Sequence, residues 1–169
     1  MSRYDISEQV VPVAVAFQPG MQFFRVWGTP DEGATIGPRT EPRLTSFFPG
    51  PGGTRAIVIR FPPPSKGTPA FDMGAGADER ESLRLDAESK LPGLFHAHES
   101  DEDDPGFHST ETIDYVVVLE GNLVLEQDSR EAVQLAVGDW VVQRGTNHRW
   151  SNPGPGPAAM GAILIGVRA

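Results

Sequence analysis

Two histidines and a carboxylate are spaced so that they could act on one site. His108 lies in Gly106-Phe107-His108-Ser109-Thr110-Glu111-Thr112-Ile113-Asp114-Tyr115, and His148 in Gly145-Thr146-Asn147-His148-Arg149-Trp150. Alternate residues of an extended strand face the same way, so His108, Thr110, Thr112 and Asp114 share a face unless a turn near Glu111 interrupts it. If the fold lays the His148 strand alongside, two imidazoles and one carboxylate converge. That donor set suits a divalent ion with open positions, either iron in the two-histidine-one-carboxylate manner or zinc. The chain has no Cys, so any metal must be held by nitrogen and oxygen. Spacing alone does not establish the convergence.

Other residues compete for roles around this set. His96 and His98 could supply a further ligand if their loop folds over the site, but a His-x-His beside an acidic run also reads as a polar surface feature. Trp150 has the parity of His148 and is expected to line a pocket. Arg144 offers a planar fork that could pair with a substrate carboxylate, or it is a solvent-facing turn residue. Tyr115 has the opposite parity from Asp114 and is expected in the core. Glu120 could face inward with Asp114 and Val118, or sit in a turn. Asp139 reads as a turn former.

The elements that must position these residues are mostly strands. Val10–Phe17 and Met21–Trp27 read as strands around the turn Gln18-Pro19-Gly20, with Leu44–Phe48 as a short candidate. Thr54–Phe61 alternates strongly and stops at Pro62-Pro63-Pro64. Asp78–Lys90 is the one helical stretch, with Asp78 a candidate cap and Leu83, Ala87 and Leu91 on one face. From Tyr115 on, strand and turn alternate: Tyr115–Leu119, Leu123–Gln127, Ala132–Leu135, Trp140–Gln143, His148–Ser151 and Ala159–Val167. Short strands at this spacing predict an all-β barrel or sandwich.

Bulk properties agree. The 169 residues suit one domain with a sizeable core, and Gly 19 with Pro 16 suits many turns. The formal charge of −9 argues against nucleic acid and anionic membranes as partners. Much of that charge sits in Glu99-Ser100-Asp101-Glu102-Asp103-Asp104, which reads as a solvated loop. With no signal-like N-terminus and no apolar run long enough to span a bilayer, a cytoplasmic protein is expected.

Residues 54–167 resemble the cupin superfamily, in particular its small single-domain members. In the first cupin motif the matching frame is His108-Ser109-Thr110, three residues, Asp114, six residues, Gly121. In the second it is Gly138, four residues, Gln143-Arg144-Gly145, two residues, His148, three residues, Asn152. Thr110 stands where the family has a second histidine, Asp114 where it has Glu, Gln143 where it has Pro, and Glu102 where it has the opening Gly. The first Gly of the second motif is also one residue nearer its histidine.

The resemblance implies a double-stranded β-helix, the cupin jelly-roll barrel, over residues 54–169, with a helix–loop insertion at about 72–105. Residues 1–53 would form extra N-terminal strands and a loop packed on the barrel or on a dimer partner. It also implies His108, Asp114 and His148 as ligands of iron, zinc or manganese, with Thr110 hydrogen-bonding or leaving a position open to water or substrate. The implied function is a metal-dependent enzyme on a small carbonyl- or carboxylate-bearing metabolite, a lyase or isomerase ahead of a dioxygenase. The alternative is a non-catalytic small-molecule-binding barrel with a degenerate metal site. Thr110, Arg144 and Trp150 are the candidate substrate contacts, and Thr110 and Arg144 the weak catalytic ones. A homodimer through the N-terminal strands is expected.

Overall fold

The computed structural model describes residues 10–33, 44–67, 70–98 and 106–168. The acidic run Glu99–Asp104 lies outside them. The described chain forms β1 (Gln22–Thr29), β2 (Thr54–Phe61), α1 (Ala77–Lys90), α2 (Leu94–Ala97), β3 (Thr112–Glu120), β4 (Asn122–Gln127), β5 (Ala132–Ala136), β6 (Trp140–Arg144), β7 (His148–Ser151) and β8 (Ala158–Gly166). None of its helices is long and apolar enough to cross a membrane.

Two antiparallel sheets face each other. One runs β1-β2-β8-β3-β6 and the other β5-β4-β7. Beyond β7, residue 108 makes an isolated antiparallel bridge to His148, adding a one-residue fourth position to the smaller sheet. With β1 set aside, each sheet then draws its members alternately from the two halves of the barrel. That is the double-stranded β-helix expected from the sequence, the jelly roll in which two Greek keys close on each other.

The alternation that marks the strands decides what faces inward. Thr112, Asp114, Val116 and Val118 of β3 are buried, as are Arg55, Ile57, Ile59 and Phe61 of β2 and Ala162 and Leu164 of β8. Together with Leu123, Leu125 and Leu135 of the opposite sheet, the apolar members of these sets make the core. A slip of one residue would send each of these sets to solvent, so the register is strongly specified.

Several local expectations change. Val10–Phe17 is not a strand; it makes one bridge, Val13 to Phe23, and then turns inward so that Val15 and Phe17 are buried. Pro12 removes one ladder donor from this stretch. Leu44–Phe48 is also irregular, held by the Phe47 N–H on the Pro92 carbonyl at 2.8 Å. Helix α1 starts at Ala77 with Gly76, not Asp78, at the cap; no side chain caps it, although Glu79 accepts the Ala75 N–H at 2.9 Å. Its inner face buries Ala87, and Leu91 beyond its end is fully buried.

The insertion closes one end of the barrel. Phe17 packs edge-on against Phe95 of α2, with ring centroids 5.0 Å apart. The Asp72 N–H bonds the Phe17 carbonyl at 2.8 Å, joining the N-terminal segment to the loop ahead of α1.

Candidate functional site

His108 and His148 are paired by backbone as well as side chain. Each donates its N–H to the other's carbonyl at 3.0 Å. Their rings therefore emerge side by side, with centroids 4.5 Å apart. A third ring joins from the insertion: His98, at the end of α2, lies 4.4 Å from His108 and stacks on Phe71 at 5.4 Å. His96, two residues earlier, is exposed. A short helical turn thus sends alternate members of His-x-His to opposite sides, which strand parity could not anticipate.

All three imidazoles share one protonation pattern. Nδ1 of His98 meets the Leu94 carbonyl at 2.9 Å, that of His108 the Gly106 carbonyl at 3.3 Å, and that of His148 the Thr146 carbonyl at 2.8 Å. A carbonyl only accepts, so each Nδ1 carries the hydrogen and each Nε2 keeps a lone pair. Histidines that bind metal are commonly oriented in this way, through the other ring nitrogen. The Gln18 side-chain amide donates to His98 Nε2 at 3.3 Å.

Burial holds the rings neutral. Desolvation lowers the pKa of His98 to about 4, with the charge of His148 adding to it and the Leu94 bond opposing it. Desolvation, then the neighbouring His98 and His148, push His108 well below the usual imidazole range. His148 is lowered too, chiefly by desolvation. Asp114 goes the other way: burial raises it to about 6, opposed by a hydrogen bond from Thr112. Its Oδ1 is buried with no hydrogen-bond partner.

These groups line one cavity of about 70 Å³, together with Gln18, Thr110, Gln143 and Trp150. Its walls are otherwise apolar, with Phe23, Phe47, Ile57, Met160 and Leu164 among them. Gly106 forms part of the rim. Its φ is +105°, and a Cβ there would come within 2.6 Å of the Phe71 ring, so a side chain would displace the ring that His98 stacks on.

The sequence candidates divide. His108, Asp114, His148, Thr110 and Trp150 all line this cavity. Thr110 Oγ1 is 2.7 Å from Thr112 Oγ1 and so already has a hydroxyl partner. Arg144 does not belong to the site: it is exposed on the outside of β6, because its neighbour Gln143 takes the inward position and bonds Thr146. Tyr115 is 43% exposed on the outer face of the larger sheet, not in the core. Glu120 also faces out, paired with Arg60 at 3.3 Å. Asp139 caps its turn by accepting the Ala136 N–H at 2.8 Å. Gln18 had no signal in the sequence beyond its place in a turn, yet it is buried in the site.

The donor chemistry fits a divalent metal: three neutral imidazole lone pairs and a carboxylate oxygen with nothing bound to it. The rings are inclined by 30° and 46° and partly stacked. Among the described residues no set of three His, Asp or Glu is arranged, as it stands, to enclose an ion.

No family model matches the chain. Oryzines biosynthesis cluster protein J of Aspergillus oryzae is 50% identical over 50 residues, 30% of this chain and 28% of that protein. Phomopsin biosynthesis cluster protein D of Diaporthe leptostromiformis is 58% identical over 45 residues, 27% of this chain and 24% of that protein. The matched stretch thus spans about a quarter of these curated relatives. Among solved structures, a predicted oxalate decarboxylase from Thermotoga maritima superposes with a TM-score of 0.49 at 12% identity, covering 94% of this chain and 95% of that one. A Cupin 2 conserved barrel domain protein from Salinispora arenicola gives 0.44 at 12%, covering 95% and 90%.

Proposed function

We propose that this cupin-fold barrel is a metal-dependent enzyme acting on a small carbonyl- or carboxylate-bearing metabolite, with lyase or isomerase chemistry ahead of oxygen chemistry. The observation that carries the reading is the pairing of His108 with His148. Two backbone bonds hold them together and two carbonyls fix their tautomers, beside a carboxylate oxygen that has no partner. Leaving one oxygen of a buried carboxylate without a partner is costly, and the cost is offset when a cation or proton donor enters.

His108, His148 and Asp114 would hold iron, zinc or manganese. The ion, when bound, would supply Lewis-acid polarisation of a substrate oxygen. The chain's own residues would do the rest. The apolar walls would seat the hydrocarbon part of the substrate and keep water out. Thr110 and Gln143 could each give a hydrogen bond to a substrate oxygen by releasing their present partners. A cavity of about 70 Å³ restricts the occupant to a few non-hydrogen atoms unless the insertion moves. The test is to load the protein separately with iron, zinc and manganese and follow small oxo- and hydroxy-acids by proton NMR. Turnover that chelation abolishes and metal restores supports the reading.

A non-catalytic ligand-binding barrel is the second reading, favoured by Thr110 in place of a histidine and by the stacked rings. It requires a ligand that binds as tightly in chelator as with metal.

The proposed partner is a second copy of the chain, and the outer face of the larger sheet is its surface. Val142, Tyr115 and Ile163 are register partners in one row across β6, β3 and β8, with Trp140 and Leu119 close by. All five are at least 43% exposed. The row carries no charge. A five-stranded face measures roughly 600 Å², near the roughly 800 Å² per partner that stable interfaces bury.

A further inference from the structure

We infer that the ligand of this barrel has two parts, a small hydroxyl-bearing head in the histidine-lined cavity and an apolar tail in a cleft beside it. The inference rests on the reading that the cavity receives a small molecule, and it needs no bound metal. The cleft has a volume of about 440 Å³. Met21, Phe61, Phe71 and Trp150 line both spaces, so cleft and cavity adjoin across these four side chains. The cavity alone, at about 70 Å³, falls short of the roughly 300–1,000 Å³ of small-molecule sites, and the cleft brings the site into that range. Two of the shared rings also pack on the histidines. Phe71 stacks on His98 at 5.4 Å, and Trp150 stands edge-on to His148 at 6.5 Å. A tail in the cleft therefore leans on the same rings that hold the histidine cluster.

The cleft walls select an uncharged, apolar tail. Pro19, Pro62, Pro63 and Pro64 form much of the lining. Proline has no N–H to donate and a fixed φ, so these walls are rigid and poor in hydrogen-bond donors. None of the described residues that line the cleft is charged. Asn152 lines it too, but its amide is committed: Nδ2 donates to the Pro62 and Gly156 carbonyls at 3.0 and 2.8 Å, and Oδ1 accepts the Gly154 N–H at 2.9 Å. It braces the proline wall. The head end differs in chemistry. Gln18 and Asp114 line the cavity, and Gln18 Oε1 and Asp114 Oδ1 are both buried with no partner. The Gln18 amide donates to His98 through Nε2, which leaves Oε1 as the acceptor. Both orphans accept, so the head that fits them donates, as a hydroxyl does.

The test is titration of the full chain with straight-chain primary alcohols from ethanol to hexanol, in chelator and again with zinc. Trp27→Phe and Trp140→Phe leave Trp150 as the one tryptophan, and its fluorescence reads binding. Affinity should rise about three- to fourfold per added methylene once the tail reaches the cleft. Ser151→Trp, which fills the cleft from β7, should flatten that rise; Ala70→Trp, at a second lining position, serves if the first variant does not fold. Tyr115→Arg, on the outer sheet face, should keep the rise. Affinity that does not change with chain length overturns the inference, as does a rise that survives the filling variants or is lost in Tyr115→Arg. A rise seen in chelator, in a protein that takes up no metal, supports the inference while the metal reading falls. Metal-dependent turnover without any rise overturns the inference alone.

Discussion

The rings of His98 and His108 lie 4.4 Å apart with their planes inclined by 30°, although the residues come from an insertion and from the barrel. Burial opposes protonation of both rings, with neighbouring imidazole charge adding to it, and this sets an acid limit on the metal-free fold. The unfolded chain binds a proton at each histidine below about 6.5. The folded chain binds its proton on His98 only near 4, and on His108 and His148 later than the free residue does. Between those values the unfolded state holds more protons, so stability rises with pH and is lost as pH falls from about 6.5 toward 4. His98 alone accounts for on the order of 3 kcal/mol. Asp114, raised to about 6, acts oppositely: it binds its proton first in the folded state and regains some stability as pH falls from about 6. Three histidines outweigh one aspartate. Urea melts in chelator should show a midpoint that falls from pH 7 to pH 4.5; a rising midpoint contradicts the neutral cluster.

Asp114→Asn separates stability from metal binding. The amide removes a buried charge whose Oδ1 has no partner. The metal-free variant should melt higher than the parent at pH 8, by an amount on the order of 1–3 kcal/mol. Its metal affinity should fall. Thermal melts with and without zinc check both signs, and a metal-free variant less stable than the parent would show that the Thr112 hydrogen bond to the carboxylate outweighs the cost of burying it.

Gly106→Ala should disturb the site without touching a ligand. The new Cβ would meet the Phe71 ring at 2.6 Å in a left-handed backbone, for a cost of about 1–3 kcal/mol. Near-ultraviolet circular dichroism should report the displaced aromatic stack. An unchanged spectrum and melting temperature would mean that the rim yields freely.

The barrel was legible because strands such as β2 and β3 alternate over eight or nine residues with one face buried. The site was legible in part. Strand parity brought out Asp114 of β3 and Trp150 of β7, beside His148 of β7 and His108, which holds an isolated bridge to His148. Of the two readings of Arg144 the solvent-facing one holds, while Tyr115 was placed in the core wrongly. Arg144 follows Gln143, and only one of two neighbours can face inward; the sequence offers no charge or size signal for which. Tyr115 is a large aromatic residue that looks like core, but it occupies the outer face of its sheet, in a row whose other members, Val142 and Ile163, are also apolar. His98 and Gln18 depend on tertiary packing of the insertion and the N-terminal segment, for which no strand or helix period exists.

That outer row gives its own prediction. Tyr115→Arg combined with Val142→Lys places two charges at its centre, opposite each other in register. Light scattering at micromolar concentration should show a dimer for the parent and a monomer of unchanged melting temperature for the double variant. A monomeric parent contradicts the proposed partner.

The proposed metal site is tested most directly by the metal content of the protein purified without added metal, measured by inductively coupled plasma mass spectrometry beside His108→Ala and His148→Ala. Near-stoichiometric iron, zinc or manganese in the parent, lost in both variants, is the predicted result. A parent without metal that takes up none of the three on reconstitution would contradict the metal reading and leave the ligand-binding barrel in its place.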